Sequence, residues 1–122
     1  MDATPAPDGE EWFATALIFA HTRFGSQGRY NYEAEALNLL KALADTRRGM
    51  FNDKGGVTLN PVQPTITNPS YHLPHFCEVW ARFLKDREDE KTATFYLMAA
   101  EYSRQLLRKC VRAGGRAGAR RV

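Results

Sequence analysis

The stretch that decides the fold is residues 8–24, which read DGEEWFATALIFAHTRF. Four of its apolar residues recur three and four positions apart, which is the period of an α-helix. They are Phe13, Leu17, Ala20 and Phe24. Further apolar residues occupy the rest of the circumference, so we expect an inner helix that its neighbours cover on more than one side.

The start of this helix is acidic, because Asp8, Glu10 and Glu11 lie within four residues of one another. Asp8 is the expected N-cap, with Glu11 as its capping-box partner, and acids near a helix N-terminus stabilise it by a few tenths to about 1 kcal/mol each. Trp12 and Phe13 follow directly. Carboxylates beside aromatic rings also suit the hydroxyl groups and ring faces of a carbohydrate, so a structural and a sugar-binding interpretation both stay open.

Three further helices are predicted, beginning near Asn31, at Pro74 and after Asp89. The third should end at about Lys85. The apolar stripe predicted for the second helix is Tyr32, Ala36, Leu39, Leu40 and Leu43, and that for the fourth is Phe95, Met98, Ala99, Tyr102, Leu106 and Cys110.

The helical period disappears over residues 48–70, where three prolines and a Gly-Gly pair exclude a continuous helix. A small β-hairpin with arms 50–52 and 57–59 fits this segment. We therefore predict an all-α fold of two helical hairpins with a long loop or small β-hairpin between them. Such pairs build either an α/α toroid or a free-standing four-helix bundle, and periodicity alone favours the bundle.

The charge of the chain is unevenly distributed. The 122 residues carry a formal net charge of +3, yet residues 104–122 hold seven cations and no acid, so the first 103 residues are net acidic. Residues 111–122 contain almost nothing to bury and are expected to be a disordered basic tail. One hypothesis is thus a non-catalytic helical domain whose tail binds nucleic acid or a protein partner, although a tail without aromatic residues is typical of a solvated charge run.

Several classes of function lack their signals. The apolar stretch 12–20 is too short for a transmembrane helix, and the start lacks the regions of a signal peptide, so we expect a cytoplasmic protein without membrane contact. No phosphate-binding glycine loop is present, and His21, His72 and His75 do not have the pattern of a zinc site. We expect neither a metal nor another cofactor.

A second candidate segment is residues 68–76, NPSYHLPHF. Its two prolines restrict the backbone on both sides of Tyr71 and His72, so these side chains would lose little entropy on binding a ligand. A polar group held in this way can orient a water molecule or a sugar. Alternatively, Tyr71 and His72 satisfy buried backbone groups at the end of a loop.

The segments APDGEEWFATALIFA, NYEAEALNLL, NPSYHLPHF and VWARF together resemble glycoside hydrolase family 8. The resemblance runs through residues 3–110 in the same order and with similar spacing. Within the motif at residues 6–14, Pro7 and Glu10 depart from the cellulase branch and favour the reducing-end xylose-releasing exo-oligoxylanases.

The resemblance implies a fragment of an (α/α)6 barrel and inverting hydrolysis of β-1,4-linked xylo-oligosaccharides. It places Asp8 at the −1 subsite, where it would hold and distort the sugar, and Tyr71 beside the attacking water. Glu10, Trp12 and His72, from the same two segments, are the predicted substrate-binding residues.

The resemblance also divides the chain into residues 1–110, part of a catalytic domain, and the tail 111–122, whose composition suggests translation in a shifted frame. In this family the general acid is a glutamate upstream of the Asp8 motif, and the general base is an aspartate downstream of the Tyr71 helix. We therefore expect the chain alone to be inactive. We also expect it to be weakly stable or to aggregate, because each large apolar side chain left in water forfeits about 1.5–3 kcal/mol.

Overall fold

In the computed structural model, residues 7–57, 66–112 and 120–121 are described. Four α-helices dominate, as predicted. They are α1 (Pro7–Phe24), α2 (Tyr32–Ala44), α3 (Pro74–Lys85) and α4 (Glu90–Arg112). Two 3-10 turns (Thr46–Arg48 and Pro69–Tyr71) and two short strands, β1 (Ile66–Thr67) and β2 (Arg120–Arg121), complete the described elements.

The predicted starts of α2, α3 and α4 are confirmed. The Asn31 side chain accepts a hydrogen bond of 3.0 Å from the Ala34 N–H at the start of α2. Asp89 does the same for the Thr92 N–H, at 3.2 Å, at the start of α4. Each cap satisfies a backbone donor that has no partner within its helix. Pro74 opens α3, where its missing N–H costs nothing.

The loop between the two helix pairs contains the predicted pairing, because Phe51 and Val57 form an isolated antiparallel bridge. The rest of the second arm, Thr58 and Leu59, lies outside the described residues. Gly55, in the turn, has φ +86°, and a Cβ there would lie 2.8 Å from the Ala99 Cα on α4. Only glycine fits this close approach of the loop to the helix.

The basic tail differs from its prediction in two places. Helix α4 continues through Val111 and Arg112, and β2 pairs antiparallel with β1. Disorder from residue 111 onward is therefore wrong for both segments, because their backbone groups are held in helical and strand hydrogen bonds. Residues 113–119 and 122 lie outside the described part of the chain.

The centre of the core is formed by large aromatic rings from three parts of the chain. Trp80 of α3 and Tyr96 of α4 are fully buried and lie edge to face, with ring centroids 5.1 Å apart. Phe51 packs on Tyr96 at 5.9 Å. Because each ring buries a large apolar area, this cluster joins the loop, α3 and α4 into one core.

Two of the predicted apolar faces are rotated in the structure. On α4, Tyr96 and Ser103 face the core, whereas Met98 is 40% exposed. On α1, Phe13 and Phe24 of the predicted stripe are exposed. Leu17 of that stripe is buried as predicted, and the other buried residues of α1 are Glu11, Ala14, Thr15 and Ile18.

Helices α1 and α3 lie side by side and run in the same direction. Three contacts show this: Trp12 with Phe76, Thr15 with Trp80, and His21 with Phe83. Residues later in α1 contact residues later in α3, so the two helices are parallel and both N-termini lie at one end of the molecule. In the described part of the chain, no helix has the length and apolar character needed to cross a membrane.

Candidate functional site

The N-terminal end of α1 presents Asp8 to solvent. Its Oδ1 accepts a hydrogen bond of 2.9 Å from the N–H of Gly9, the next residue. The predicted capping box is wrong, because α1 already begins at Pro7 and the Glu11 carboxyl makes no bond back to this end. Asp8 keeps an exposed carboxylate in the first turn, where the helix dipole favours negative charge.

Glu11, one turn further along, is fully buried, and neither of its carboxyl oxygens has a hydrogen-bond partner among the described residues. Burial, and then the neighbouring charge of Asp8, raises the pKa of Glu11 to about 9. A carboxyl group in apolar surroundings retains its proton because ionisation there would cost solvation that nothing replaces. Glu11 is therefore a neutral acid at physiological pH.

Two hydrogen bonds in series connect the backbone carbonyl of Glu11 to α3. The Trp80 indole N–H donates to Thr15 Oγ1 at 2.9 Å, and the Thr15 hydroxyl donates to the Glu11 carbonyl at 3.0 Å. Burial, and then the Glu11 carboxyl, raises the pKa of the Cys77 thiol. Glu11 thus lies in a sealed interior beside α3, and the chain of bonds fixes its turn of α1.

An exposed aromatic pair lies beside this end. The Trp12 ring is 60% exposed, and Phe76, in the first turn of α3, meets it edge to face with ring centroids 4.8 Å apart. The contact holds the indole in place while leaving much of its surface open. An exposed, braced aromatic ring of this kind is suited to stacking on a sugar ring.

Tyr71 lies in the short turn that leads into α3. The Asn68 side chain accepts hydrogen bonds from the Ser70 N–H and hydroxyl, at 3.0 and 2.9 Å, and this fixes the 3-10 turn Pro69–Tyr71. Tyr71 is half-buried against the core, and the turn contacts α1. The structure therefore brings the Tyr71 turn and the N-terminus of α1 to the same end.

His72 does not reach this surface. It is 3% exposed, with Nε2 2.8 Å from Thr67 Oγ1 and Nδ1 2.8 Å from Ser103 Oγ. Thr67 donates its one hydrogen to the Val57 carbonyl, so Nε2–H donates to Thr67 and Nδ1 accepts from Ser103. Burial lowers the pKa of His72 to about 4. The prediction that His72 contacts substrate disagrees with this placement, because both ring nitrogens have protein partners.

Glu10 faces a different part of the surface. It is half-buried and lines a partly open cavity of about 300 Å³ with Arg48 and apolar residues from the end of α2 and the following loop. The apolar residues are Leu39, Ala42, Leu43 and Met50. Glu10 is therefore close to Asp8 in sequence, but its side chain lines a cavity between α1 and α2, away from Tyr71.

Of the predicted site residues, the structure brings Asp8, Trp12 and Tyr71 to one end of the α1–α3 pair. Sequence reasoning missed the interior position of Glu11. A signal was present, since Glu11 is spaced three, four and seven residues from Ala14, Thr15 and Ile18, the face that is buried. Among the described residues, no three His, Cys, Asp or Glu side chains are grouped so that they could hold a metal ion.

Comparison with known proteins identifies relatives. The model of the family described as Glycosyl hydrolases family 8 matches residues 1–105. The chain is 40% identical over 110 residues to the reducing-end xylose-releasing exo-oligoxylanase Rex8A of Paenibacillus barcinonensis. This alignment covers 85% of this chain and 28% of the relative. The chain is 34% identical over 80 residues to endoglucanase C of Ruminiclostridium cellulolyticum, covering 64% of this chain and 17% of that protein.

Solved structures agree with these relatives. A cold-adapted family 8 xylanase superposes with a TM-score of 0.75 at 33% identity, covering 88% of this chain and 25% of that one. A reducing-end-xylose releasing exo-oligoxylanase complexed with xylose superposes with a TM-score of 0.75 at 36% identity, and the match covers 88% of this chain and 29% of that one. These neighbours are (α/α)6 barrels, and the described helices form a fragment of that fold. The chain spans little more than a quarter of the length of such relatives.

Proposed function

Because the chain belongs to glycosyl hydrolases family 8, we propose that it forms part of a glycosidase that hydrolyses β-1,4-linked xylo-oligosaccharides. The proposed reaction proceeds with inversion and releases xylose from the reducing end. Relatives named as exo-oligoxylanases, at 36–40% identity, support this substrate class.

In an inverting reaction, one carboxylic acid protonates the leaving oxygen while a carboxylate activates a water on the opposite face of the sugar. The proposal gives neither proton transfer to this chain, and we expect no hydrolysis by these 122 residues alone. Asp8 would accept hydrogen bonds from sugar hydroxyls and hold the ring in a distorted conformation. Tyr71 would orient the attacking water.

The observation that carries the proposal is the parallel packing of α1 and α3. A helix N-terminus bearing Asp8 and a rigid turn bearing Tyr71 lie at the same end only because the two helices run in the same direction. The exposed Trp12 ring, braced by Phe76, lies at that end as well. A carboxylate, a phenol and an aromatic surface are groups that carbohydrate sites use.

The test is calorimetric titration of the chain with xylotriose. We expect Asp8→Ala to weaken binding by about tenfold or more, because a hydrogen bond to a charged group contributes roughly 1.5–3 kcal/mol. Asp86→Ala is the matched control, since Asp86 is an exposed aspartate at the other end of α3. Tyr71→Phe pairs in the same way with Tyr30→Phe, a change in an exposed tyrosine between α1 and α2.

Equal affinities for wild type and Asp8→Ala would contradict the proposed site, and so would equal losses in Asp8→Ala and Asp86→Ala. Cellotriose is the comparison ligand. If it bound as tightly as xylotriose, the xylan assignment would be wrong while the carbohydrate site would stand.

A further inference from the structure

Glu11 has no part in the proposed reaction, yet its position is costly for the fold. It is fully buried at the second turn of α1, and neither carboxyl oxygen has a partner among the described residues. An unpartnered polar group in the interior costs free energy that a leucine or methionine at the same position would not. A purely structural position of this kind is better filled by an apolar residue.

In the described part of the chain, the groups that act on Glu11 supply no compensating positive charge. Asp8 acts on it from its own helix, and Cys77 of α3 and Tyr96 of α4 lie within electrostatic reach. Arg104 of α4 acts on Cys77 and forms its ion pair with Glu78. Two carboxyl groups one helical turn apart, with no cation between them, cannot both ionise cheaply.

We propose that Glu11 is a positioning residue for Asp8: its carboxyl group, buried and without a partner among the described residues, leaves Asp8 without a like charge one turn away. Only the statement that Asp8 then holds a sugar rests on the proposed function. The coupling between the two carboxyl groups is a property of the chain itself.

The physical consequence is a carboxylate whose orientation depends on the protonation of its neighbour. With Glu11 neutral, Asp8 can keep its bond to the Gly9 N–H while its exposed carboxyl group stays open to a ligand. With Glu11 ionised, repulsion would turn Asp8 away from the helix, and the hydrogen bonds that it offers a ligand would be lost.

The coupling can be measured without a ligand by following the carboxyl carbon resonances of the isotope-labelled chain from acid to alkaline pH. We expect Glu11 to titrate near its raised pKa of about 9. Asp8 should show a second chemical-shift step at the same pH. That step should vanish in Glu11→Gln, whose amide mimics the neutral acid, and persist in Glu35→Gln, a change in an exposed acid of the first turn of α2.

Two results would overturn the proposal: titration of Glu11 in the ordinary range of exposed glutamates, or an Asp8 resonance without a second step. Helical circular dichroism is recorded at the same pH values, and an Asp8 step that occurs only where the helical signal is lost would also overturn the proposal, because it would report unfolding. If Glu11→Gln does not fold, the two resonances of the wild-type chain still decide the matter.

Xylotriose binding separates this inference from the proposed function. At neutral pH, Glu11→Gln should bind as tightly as wild type. Above about pH 9, wild type should lose affinity by about tenfold, the equivalent of one pKa unit of interaction, while Glu11→Gln should not. If no variant binds the sugar at any pH, the proposed function fails, and the Asp8 titration still tests the coupling.

Discussion

Helices α1 and α3 lie side by side in the same direction, yet they differ in where they place their aromatic and polar residues. Helix α3 places its large rings inside, with Trp80 fully buried and Phe83 6% exposed. Helix α1 places polar Glu11 and Thr15 inside. Its Trp and Phe residues are exposed by more than half, namely Trp12, Phe13, Phe19 and Phe24, whereas Leu17 and Ile18 are buried.

The difference follows from their neighbours. Helix α3 packs against α1 on one side and most extensively against α4 on the other. The outer face of α1 has no cover in the described chain, whereas an inner helix of an (α/α)6 barrel has a neighbour on each side. The exposed rings of α1 lie on this face, and the chain spans 28% of the length of the relatives that it matches.

Replacing one tryptophan on each helix should give the largest contrast. Trp80→Ala should lower the free energy of unfolding by about 3–5 kcal/mol, because it empties the centre of the core. Trp12→Ala removes the same atoms from a largely exposed ring and should cost about 1 kcal/mol or less. Urea unfolding followed by circular dichroism measures both, and equal losses would break the comparison between the helices.

The buried Glu11 side chain of α1 should make the free energy of unfolding fall as pH rises. The pKa of Glu11 is about 9 in the folded chain against an ordinary 4.5, so between these values the folded state binds more protons than the unfolded state. The free energy of unfolding should therefore decrease by up to about 1.4 kcal/mol per pH unit, or roughly 2–3 kcal/mol from pH 7 to 9. Glu11→Gln should remove this slope.

His72, ahead of α3, acts in the opposite direction. Its pKa is about 4 in the folded chain against an ordinary 6.5, so it contributes stability above pH 6.5 that is lost as pH falls toward 4. The two slopes should nearly cancel between about pH 4.5 and 6.5 in wild type. In Glu11→Gln the His72 slope alone should appear there, and a flat profile in that variant would contradict the buried, neutral histidine.

The hydrogen bond that joins the two helices should have a smaller effect. Thr15→Val leaves the Trp80 indole N–H buried without an acceptor, which costs about 1–3 kcal/mol. Thr22→Val is the matched control, because Thr22 also donates to the carbonyl four residues earlier, at 3.0 Å, but lies on the exposed side of α1. A similar loss in both variants would show that the bond between the helices contributes nothing.

The smallest change in the free energy of unfolding is expected for the exposed rings of α1. Phe19→Ser should alter the free energy of unfolding by no more than about 0.5 kcal/mol, because the ring is 61% exposed. It should also shift the chain toward monomer in size-exclusion chromatography, since large exposed apolar patches promote association. A clear loss of stability would mean that the outer face of α1 is covered.

The sequence predicted those parts of the fold that depend on neighbours along the chain. Asn31, Pro74 and Asp89 set the helix starts through caps and the proline ring, and all three are confirmed. The orientation of α1 and α4 was predicted poorly. Apolar residues lie around most of α1, so several rotations bury a similar apolar area, and periodicity could not choose among them.

For the candidate site, the segments that hold Asp8 and Tyr71 could be recognised from residue type and spacing. The interior place of His72 could not, because it depends on Thr67 and Ser103, the second of which is 31 residues away. Burial of Glu11 was missed because an acid beside a helix N-terminus is usually exposed, although its spacing from Ala14, Thr15 and Ile18 places it on the buried face.

The sequence by itself determined four helices, the starts of three of them and the family, because caps, prolines and local motifs act within a few residues. Only the tertiary structure decided that α1 and α3 run in parallel, which brings Asp8 and the Tyr71 turn to one end, and that Glu11 is sealed inside. Both depend on which side chains meet across the core, and packing between distant segments is the one interaction that local sequence does not encode.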